Sequence, residues 1–300
     1  MLWPKQVKIV EVGPRDGLQA ERGAMLSVAA RVKLIDLLSE SGLQSLEAGS
    51  FVSSKSIPAM ANSEDVFDKI QKKPGVDYAF LVPNFKGFEI AQHHGIKSIS
   101  VFTAASEAFC QRNTKCSIQE SFERFSEFIP LAKAQGMRVR GYVSCIFRCP
   151  YEGYIQPQKV VQVAETLLDM GCDEIAFGDT IGVGTPQDVI ALLERATFPK
   201  EKMAMHFHDT YGMAIANITV SLEKGIHIFD ASLSGLGGCP YAEGASGNVA
   251  TEDVIYLLNG LGVDHGVNMN KLMEASAYID GLLSRKSGSK VALALQGGCV

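Results

Sequence analysis

The chain has 300 residues, 46% of them hydrophobic, a formal net charge of -5, and an even composition without linker, charge block or low-complexity run. That length fits one large domain or two ordinary ones, and the acidic balance argues against nucleic acid or an anionic membrane as the main partner. No apolar run approaches bilayer length, the opening Met1-Leu2-Trp3-Pro4-Lys5 lacks the regions of a secretory or transit leader, and seven cysteines disfavour a disulfide framework, so the sequence reads as soluble and cytoplasmic.

Short runs rich in Val, Ile and Phe alternate with helical patterns along the whole chain. The strands are predicted at Gln6 to Glu11, Ser45 to Ala48, Asp77 to Val82, Ser98 to Thr103, Arg138 to Ser144, Glu174 to Phe177, Lys202 to His206 and His227 to Ser232. Amphipathic stretches lie at Ala29 to Ser41, Ser121 to Gln135, Gln158 to Met170, Pro186 to Arg195, Ala214 to Glu223 and Thr251 to Leu258. Such alternation indicates βαβ units and a parallel sheet. Eight units in about 250 residues suit an α/β fold closed as a (β/α)8 TIM barrel. The predicted barrel covers residues 6-262 of a single catalytic domain, with a helical extension over 268-286. An open doubly wound sheet is the alternative, but Gly13-Pro14-Arg15-Asp16-Gly17 is not the glycine fingerprint such a sheet carries in its first turn.

In a barrel the active site lies at the carboxyl ends of the strands. Those ends carry Arg15 and Asp16, Glu47 with Ser50, Thr103 with Ser106 and Glu107, Tyr142 with Ser144, Asp179 with Thr180, His206 with His208, and a glycine loop holding Cys239 and Asn248. In His206-Phe207-His208 residues two apart on a strand point the same way, so the two imidazoles project side by side. Asp16 adds a hard oxygen, and the amide of Asn248 adds another. A mixed O/N set without thiolate suits Mg2+, Mn2+ or another divalent first-row ion better than structural zinc. Two plainer readings stand beside this one: barrel-interior histidines hydrogen-bonded to neighbours, and Asn248 as the cap of the helix beginning near Thr251. No cysteine pair has zinc-binding C-x-x-C spacing, and most are expected as small buried hydrophobes; Cys239 and Cys299 stand apart beside glycines.

Five segments carry a resemblance: Val12-Gly13-Pro14-Arg15-Asp16-Gly17-Leu18-Gln19, Leu46-Glu47-Ala48-Gly49-Ser50-Phe51-Val52, Phe177-Gly178-Asp179-Thr180-Ile181-Gly182-Val183-Gly184, His206-Phe207-His208-Asp209-Thr210-Tyr211-Gly212, and the run Gly235-Leu236-Gly237-Gly238-Cys239-Pro240-Tyr241-Ala242-Glu243-Gly244-Ala245-Ser246-Gly247-Asn248. The chain resembles the hydroxymethylglutaryl-CoA lyases, in their bacterial form, within the wider metallolyase superfamily. The match runs from about Val7 to Lys290, and its last segment is the most specific.

The resemblance implies cleavage of 3-hydroxy-3-methylglutaryl-CoA to acetoacetate and acetyl-CoA, with a place in leucine degradation and ketone-body formation. It also implies a divalent metal, Mg2+ or Mn2+, on Asp16, His206, His208 and Asn248, and a homodimer. Arg15, Glu47, Asp179 and Cys239 fall on positions such enzymes use in or beside catalysis, with His206 or Asp16 as candidate bases. Ser50, Phe51, Tyr142, Ser144 and Thr180 resemble acyl-binding positions, as Arg15 does. Glu47 and Asp179 are expected to orient Arg15 or to form an ion-pair network around it. Lys55, Arg285, Lys286 and Lys290 are candidates for the CoA phosphates. A related aldolase or decarboxylase acting on a free keto acid, and a barrel with a purely structural metal, are the rival readings.

Overall fold

The computed structural model describes residues 3-21, 25-238 and 247-297. Among the described residues ten strands form: β1 (Lys8–Glu11), β2 (Ser45–Ser50), β3 (Asp77–Leu81), β4 (Ser98–Ala104), β5 (Arg138–Ser144), β6 (Arg148–Cys149), β7 (Gly153–Tyr154), β8 (Glu174–Asp179), β9 (Met203–Phe207) and β10 (Ile228–Ala231). Strands β6 and β7 make a small antiparallel hairpin; the other eight close a parallel barrel in the order β1-β10-β9-β8-β5-β4-β3-β2. All residues of β2, β8 and β9 are buried, as expected of strands walled by helices outside and packed side chains within. This is the predicted (β/α)8 architecture, and the eight expected strands appear within a residue or two of their predicted bounds.

Helices return the chain between strands, and proline or a cap fixes where several begin. Pro157 and Pro186 open the helices Pro157–Asp169 and Pro186–Leu193, where a missing N–H costs nothing. The predicted helix Ser121 to Gln135 is instead two, Ile118–Ser126 and Ile129–Ala134. Pro130 cannot donate to the preceding turn and its ring clashes there, so it starts a new helix. Several short helices escape the periodicity reading, among them Ser63–Lys69, Phe85–His93, Glu107–Asn113 and Lys290–Gln296. Helices Met269–Leu283 and Lys290–Gln296 follow the last barrel helix, and the first of these packs on Val28–Glu40. Among the described residues no helix is long and apolar enough to cross a membrane.

The main core lies between strands and helices, while a second cluster of Val10, Val12, Tyr142, Ala176, Ala204 and Ile228 fills the barrel itself. Charged side chains share that interior. Arg140 pairs with Glu174 at 2.8 Å and Asp230 at 2.6 Å, and Lys8 reaches Glu174 at 2.9 Å. Buried charges of this kind persist only when paired and hydrogen-bonded.

Glu11 ends β1 and ties the two ends of the barrel together. Its carboxylate accepts from the backbone N–H of Gly13 (2.7 Å) and Leu233 (2.9 Å) and from the Thr251 hydroxyl (2.6 Å). Nearby, both oxygens of buried Glu252 face the Ser234 N–H at 3.0 Å. Burial pushes the Glu252 carboxyl up to about 8 from an ordinary 4.5. The unfolded chain therefore releases this proton at lower pH than the folded one, and the carboxyl withdraws stability as pH rises from about 4.5 through 8. Glu252→Gln is expected to match the wild-type Tm near pH 4 and to exceed it at pH 8 by about 2 °C or more, measured by calorimetry. A wild-type excess at pH 8 would show that the ionised carboxylate stabilises the fold.

Candidate metal and acyl site

The chain after β1 winds through one π-helical turn, Gly13–Gly17, with Pro14 at its start. That turn carries Arg15 and Asp16 over the carboxyl end of the barrel. Arg15 is 6% exposed and donates to Glu47 from Nε at 2.6 Å and to Asp16 from its guanidinium at 2.8 Å. Its guanidinium carbon also stands 5.4 Å from the centre of the Tyr142 ring. Burial disfavours its charge, but Glu47 and then Asp16 outweigh burial and raise its pKa. Glu47 is itself fixed: Oε1 accepts from Ser100 at 2.5 Å, and Oε2 accepts from the Tyr142 hydroxyl at 3.2 Å.

Two strands round the barrel from β1, β9 delivers His206 and its continuation delivers His208. His206 Nε2 lies 4.0 Å from Asp16 Oδ2, and the two ring centroids are 5.3 Å apart. Asp16, His206 and His208 each offer one ligand atom, all within 4.8 Å of one another. Burial works against the Asp16 anion, but Arg15 and then the two histidines hold it down at about 2. Burial and then its neighbour His206 lower His208 to about 4, so its imidazole is neutral at physiological pH and able to ligate. His208 Nδ1 is buried with no hydrogen-bond partner among the described residues.

Asn248 arrives from the far end of the glycine loop. Its backbone bridges to His208, and its Nδ2 donates to Asp16 Oδ2 at 2.9 Å and to the Leu236 carbonyl at 3.1 Å, which leaves the amide oxygen as an acceptor. It is not the cap of the following helix; Ala250 occupies that position. Glycine is required here because a Cβ on Gly247 would stand 2.1 Å from the Gly237 carbonyl oxygen. One carboxylate and two imidazoles form a donor set that fits a divalent cation with mixed O/N preference, and Asn248 stands beside it with its amide nitrogen turned to Asp16. Cys239 and Cys299 lie outside the described residues. The five described cysteines are unpaired and buried, as predicted.

Asp179 departs from expectation. Its carboxylate accepts from the backbone N–H groups of Val183 (3.2 Å) and Gly184 (2.8 Å), and no bond joins it to Arg15 among the described residues. The turn after β8 leaves those donors unpaired, and a carboxylate at the strand end satisfies them. Burial nevertheless raises it to about 6.

The acyl candidates stand at the carboxyl ends of three strands: Ser50 on β2, with Phe51 after it stacked on Phe80 with centroids 5.4 Å apart, Ser144 closing β5, and Thr180 after β8, whose hydroxyl accepts from the Cys145 N–H at 2.8 Å. The Tyr142 hydroxyl is already engaged between Arg140 and Glu47. Of the phosphate candidates, Arg285 is committed to Glu21 and the Ser234 carbonyl, and Lys290 reaches Asp209 at 3.2 Å.

The sequence reading missed Asp230 and Arg140. Asp230 Oδ2 meets His206 Nδ1 at 3.0 Å, and Arg140 grips both oxygens of Asp230, at 2.6 and 3.1 Å. The available signal was a charge set inside each of two otherwise apolar strands, Val139-Arg140-Gly141 and Ile228-Phe229-Asp230-Ala231, where an ionised side chain demands a partner.

A family model described as HMGL-like matches residues 6–279. The chain is 54% identical to the mitochondrial hydroxymethylglutaryl-CoA lyase of Bos taurus, over 97% of this chain and 90% of that one. It is 53% identical to a Pseudomonas aeruginosa protein named 3-hydroxy-3-isohexenylglutaryl-CoA/hydroxy-methylglutaryl-CoA lyase, over 97% and 98%. A crystal structure of hydroxymethylglutaryl-CoA lyase from Pseudomonas aeruginosa superposes with a TM-score of 0.97 at 52% identity, covering 99% of this chain and all of that one.

Proposed function

The chain belongs to the HMGL-like family, and from that membership we propose that it cleaves 3-hydroxy-3-methylglutaryl-CoA to acetoacetate and acetyl-CoA, using Arg15 and the cluster of Asp16, His206, His208 and Asn248. The observation that carries the site assignment is the convergence of Asp16, His206 and His208, from opposite ends of the sequence, at the carboxyl end of one barrel.

The reaction breaks the bond between C2 and C3. The tertiary hydroxyl loses its proton and becomes the ketone of acetoacetate, while the bonding pair passes to the thioester as an enolate. That enolate is then protonated at carbon to give acetyl-CoA. A divalent cation, for which we propose Mg2+ or Mn2+, would be held by Asp16, His206, His208 and Asn248 and would supply Lewis acidity that lowers the pKa of the tertiary hydroxyl.

The chain's own groups do the rest. Arg15 presents a planar fork at the thioester oxygen, where negative charge develops, and Glu47 holds that fork in place from behind. His206 turns Nε2 to the site, and its lone pair there can serve a cation or a proton but not both. Ser50, Phe51, Ser144 and Thr180 sit where strand ends would line the acyl group. Cys239 is the proposed proton donor to the enolate carbon, because a thiol titrates close enough to neutrality to give up a proton and recover it. In a Cys299→Ser background, Cys239→Ser is expected to cut turnover about 10²-fold or more, the usual loss for a general acid, with substrate affinity retained. Near-normal turnover would give the proton to another donor.

We further place the enzyme in the cytoplasm as a homodimer. Unpaired buried cysteines suit a reducing compartment, and the exposed side chains of Leu282, Leu293 and Leu295 on the last two helices suit a contact between copies. Sedimentation velocity at the mass of a single 32.3 kDa chain would refute the dimer.

The deciding experiment incubates purified protein and Mg2+ with 3-hydroxy-3-methylglutaryl-CoA, following acetoacetate, with free keto and hydroxy acids in parallel. Acetoacetate at enzymatic rates supports the lyase. Cleavage of the free acids alone would identify an aldolase, and no turnover of either would leave a metal-binding barrel.

A further inference from the structure

We propose that Asp230, gripped by Arg140, is a positioning residue that fixes the tautomer of His206 and so turns an unprotonated Nε2 toward Asp16 and His208. The inference rests on the metal-site reading above and deepens it: these two residues, neither of which belongs to the cluster of Asp16, His206 and His208, decide whether His206 can act as a ligand.

The geometry begins with register. Asp230 on β10 lies directly beside His206 on β9, so their side chains share the inner face of the barrel. The contact between His206 Nδ1 and Asp230 Oδ2 is 3.0 Å, and Asp230 is 2% exposed. An ionised carboxylate only accepts hydrogen bonds. Arg140 ensures that it is ionised, because a guanidinium bound to both of its oxygens leaves no room for a carboxyl proton. Nδ1 must then be the donor, and Nε2 of the neutral ring must bear the lone pair.

Arg140 is held in turn by Glu174 at 2.8 Å and by the Tyr142 hydroxyl at 2.9 Å. Tyr142 bonds Glu47, Glu47 bonds Arg15, and Arg15 bonds Asp16. The chain of contacts that leaves His206 through Asp230 thus returns to the site through Asp16. The chain is open, with His206 Nε2 4.0 Å from Asp16 Oδ2, and its charged donors and acceptors hold Asp230 as an acceptor toward His206 Nδ1.

Metal-ligating histidines ordinarily donate their other N–H to a carboxylate or carbonyl, and loss of that partner costs roughly 10- to 100-fold in metal affinity. Asp230→Asn keeps the shape but offers a poor choice. Its amide nitrogen toward His206 would demand an acceptor at Nδ1 and move the proton to Nε2; its oxygen toward His206 would set the amide N–H against the Arg140 guanidinium.

The test uses the full chain stripped of metal, with Mn2+ alone as the probe. Calorimetric titration is expected to show a Kd for Asp230→Asn raised roughly 10- to 100-fold over wild type. The 15N shifts of labelled histidine in the wild-type apoprotein, assigned with His206→Gln, are expected to show His206 protonated at Nδ1. A merely structural Asp230 would lower the apoprotein Tm and leave the Mn2+ Kd of the folded fraction unchanged, which would overturn the proposal. So would a neutral wild-type His206 ring, observed above its pKa, with its proton on Nε2 instead of Nδ1, a reading that needs no variant to fold. His208→Ala separates the two layers: if wild type fails to bind Mn2+, or His208→Ala binds it as tightly as wild type, the metal site itself is wrong, whereas weakened binding by His208→Ala with tight binding by wild type and Asp230→Asn alike rejects the positioning role alone.

Discussion

His208→Ala is expected to lower kcat/KM by at least about 10³-fold, corresponding to ~4 kcal/mol of transition-state stabilisation lost with a cation site. The fold should survive the change. His208 is linked to Asn248 through backbone atoms, which alanine retains, and the imidazole contributes a buried Nδ1 that has no hydrogen-bond partner among the described residues. Its removal therefore empties a ligand position without breaking a network that supports the barrel. The measurement is steady-state turnover after exhaustive chelation and readdition of Mg2+, with the apoprotein Tm as control. Wild-type turnover with restored Mg2+ would remove His208 from the site.

Arg15→Lys is the second large effect, expected to cost roughly 3 kcal/mol or about 10²-fold, mainly in kcat. Arg15 contacts Glu47, Asp16 and the face of Tyr142 at once, and a lysine ammonium has neither the fork nor the plane for all three. An interaction that strengthens as charge develops on the thioester oxygen appears in kcat, while one made equally with bound substrate appears in KM. A raised KM with kcat intact would make Arg15 a substrate anchor.

The strands were legible because a parallel barrel buries them on both sides, which writes them into the sequence as short apolar, β-branched runs between helices. The ends of those runs named most of the site. What escaped was relational. Arg140 and Asp230 are 90 residues apart, and nothing local says that they meet inside the barrel. Asp179 was expected to serve Arg15 from the resemblance, yet the turn after β8 offered it two backbone donors. The helix Phe85–His93 is short and interrupted by Gly87, though Asn84 at its cap and the apolar spacing of Phe88 and Ala91 were visible signs. Pro130 was visible too, and it splits a helical pattern whose periodicity alone runs on unbroken.

Closure of the barrel by pairing β1 with β10 also has a consequence in time. Asp16 and Asn248 are separated by 232 positions, so a ribosome adding about 5–20 residues per second delivers the second roughly 10–50 s after the first. Until β10 is made, late in that interval, β1 can pair with β2 but its other edge has no neighbour, and the Glu11 carboxylate waits for donors from Leu233 and Thr251. An uncapped parallel edge is a template for foreign strands. The nascent chain therefore spends most of its synthesis as an open sheet that only its last quarter can seal, which makes the hazard of misassembly greatest before the site exists at all.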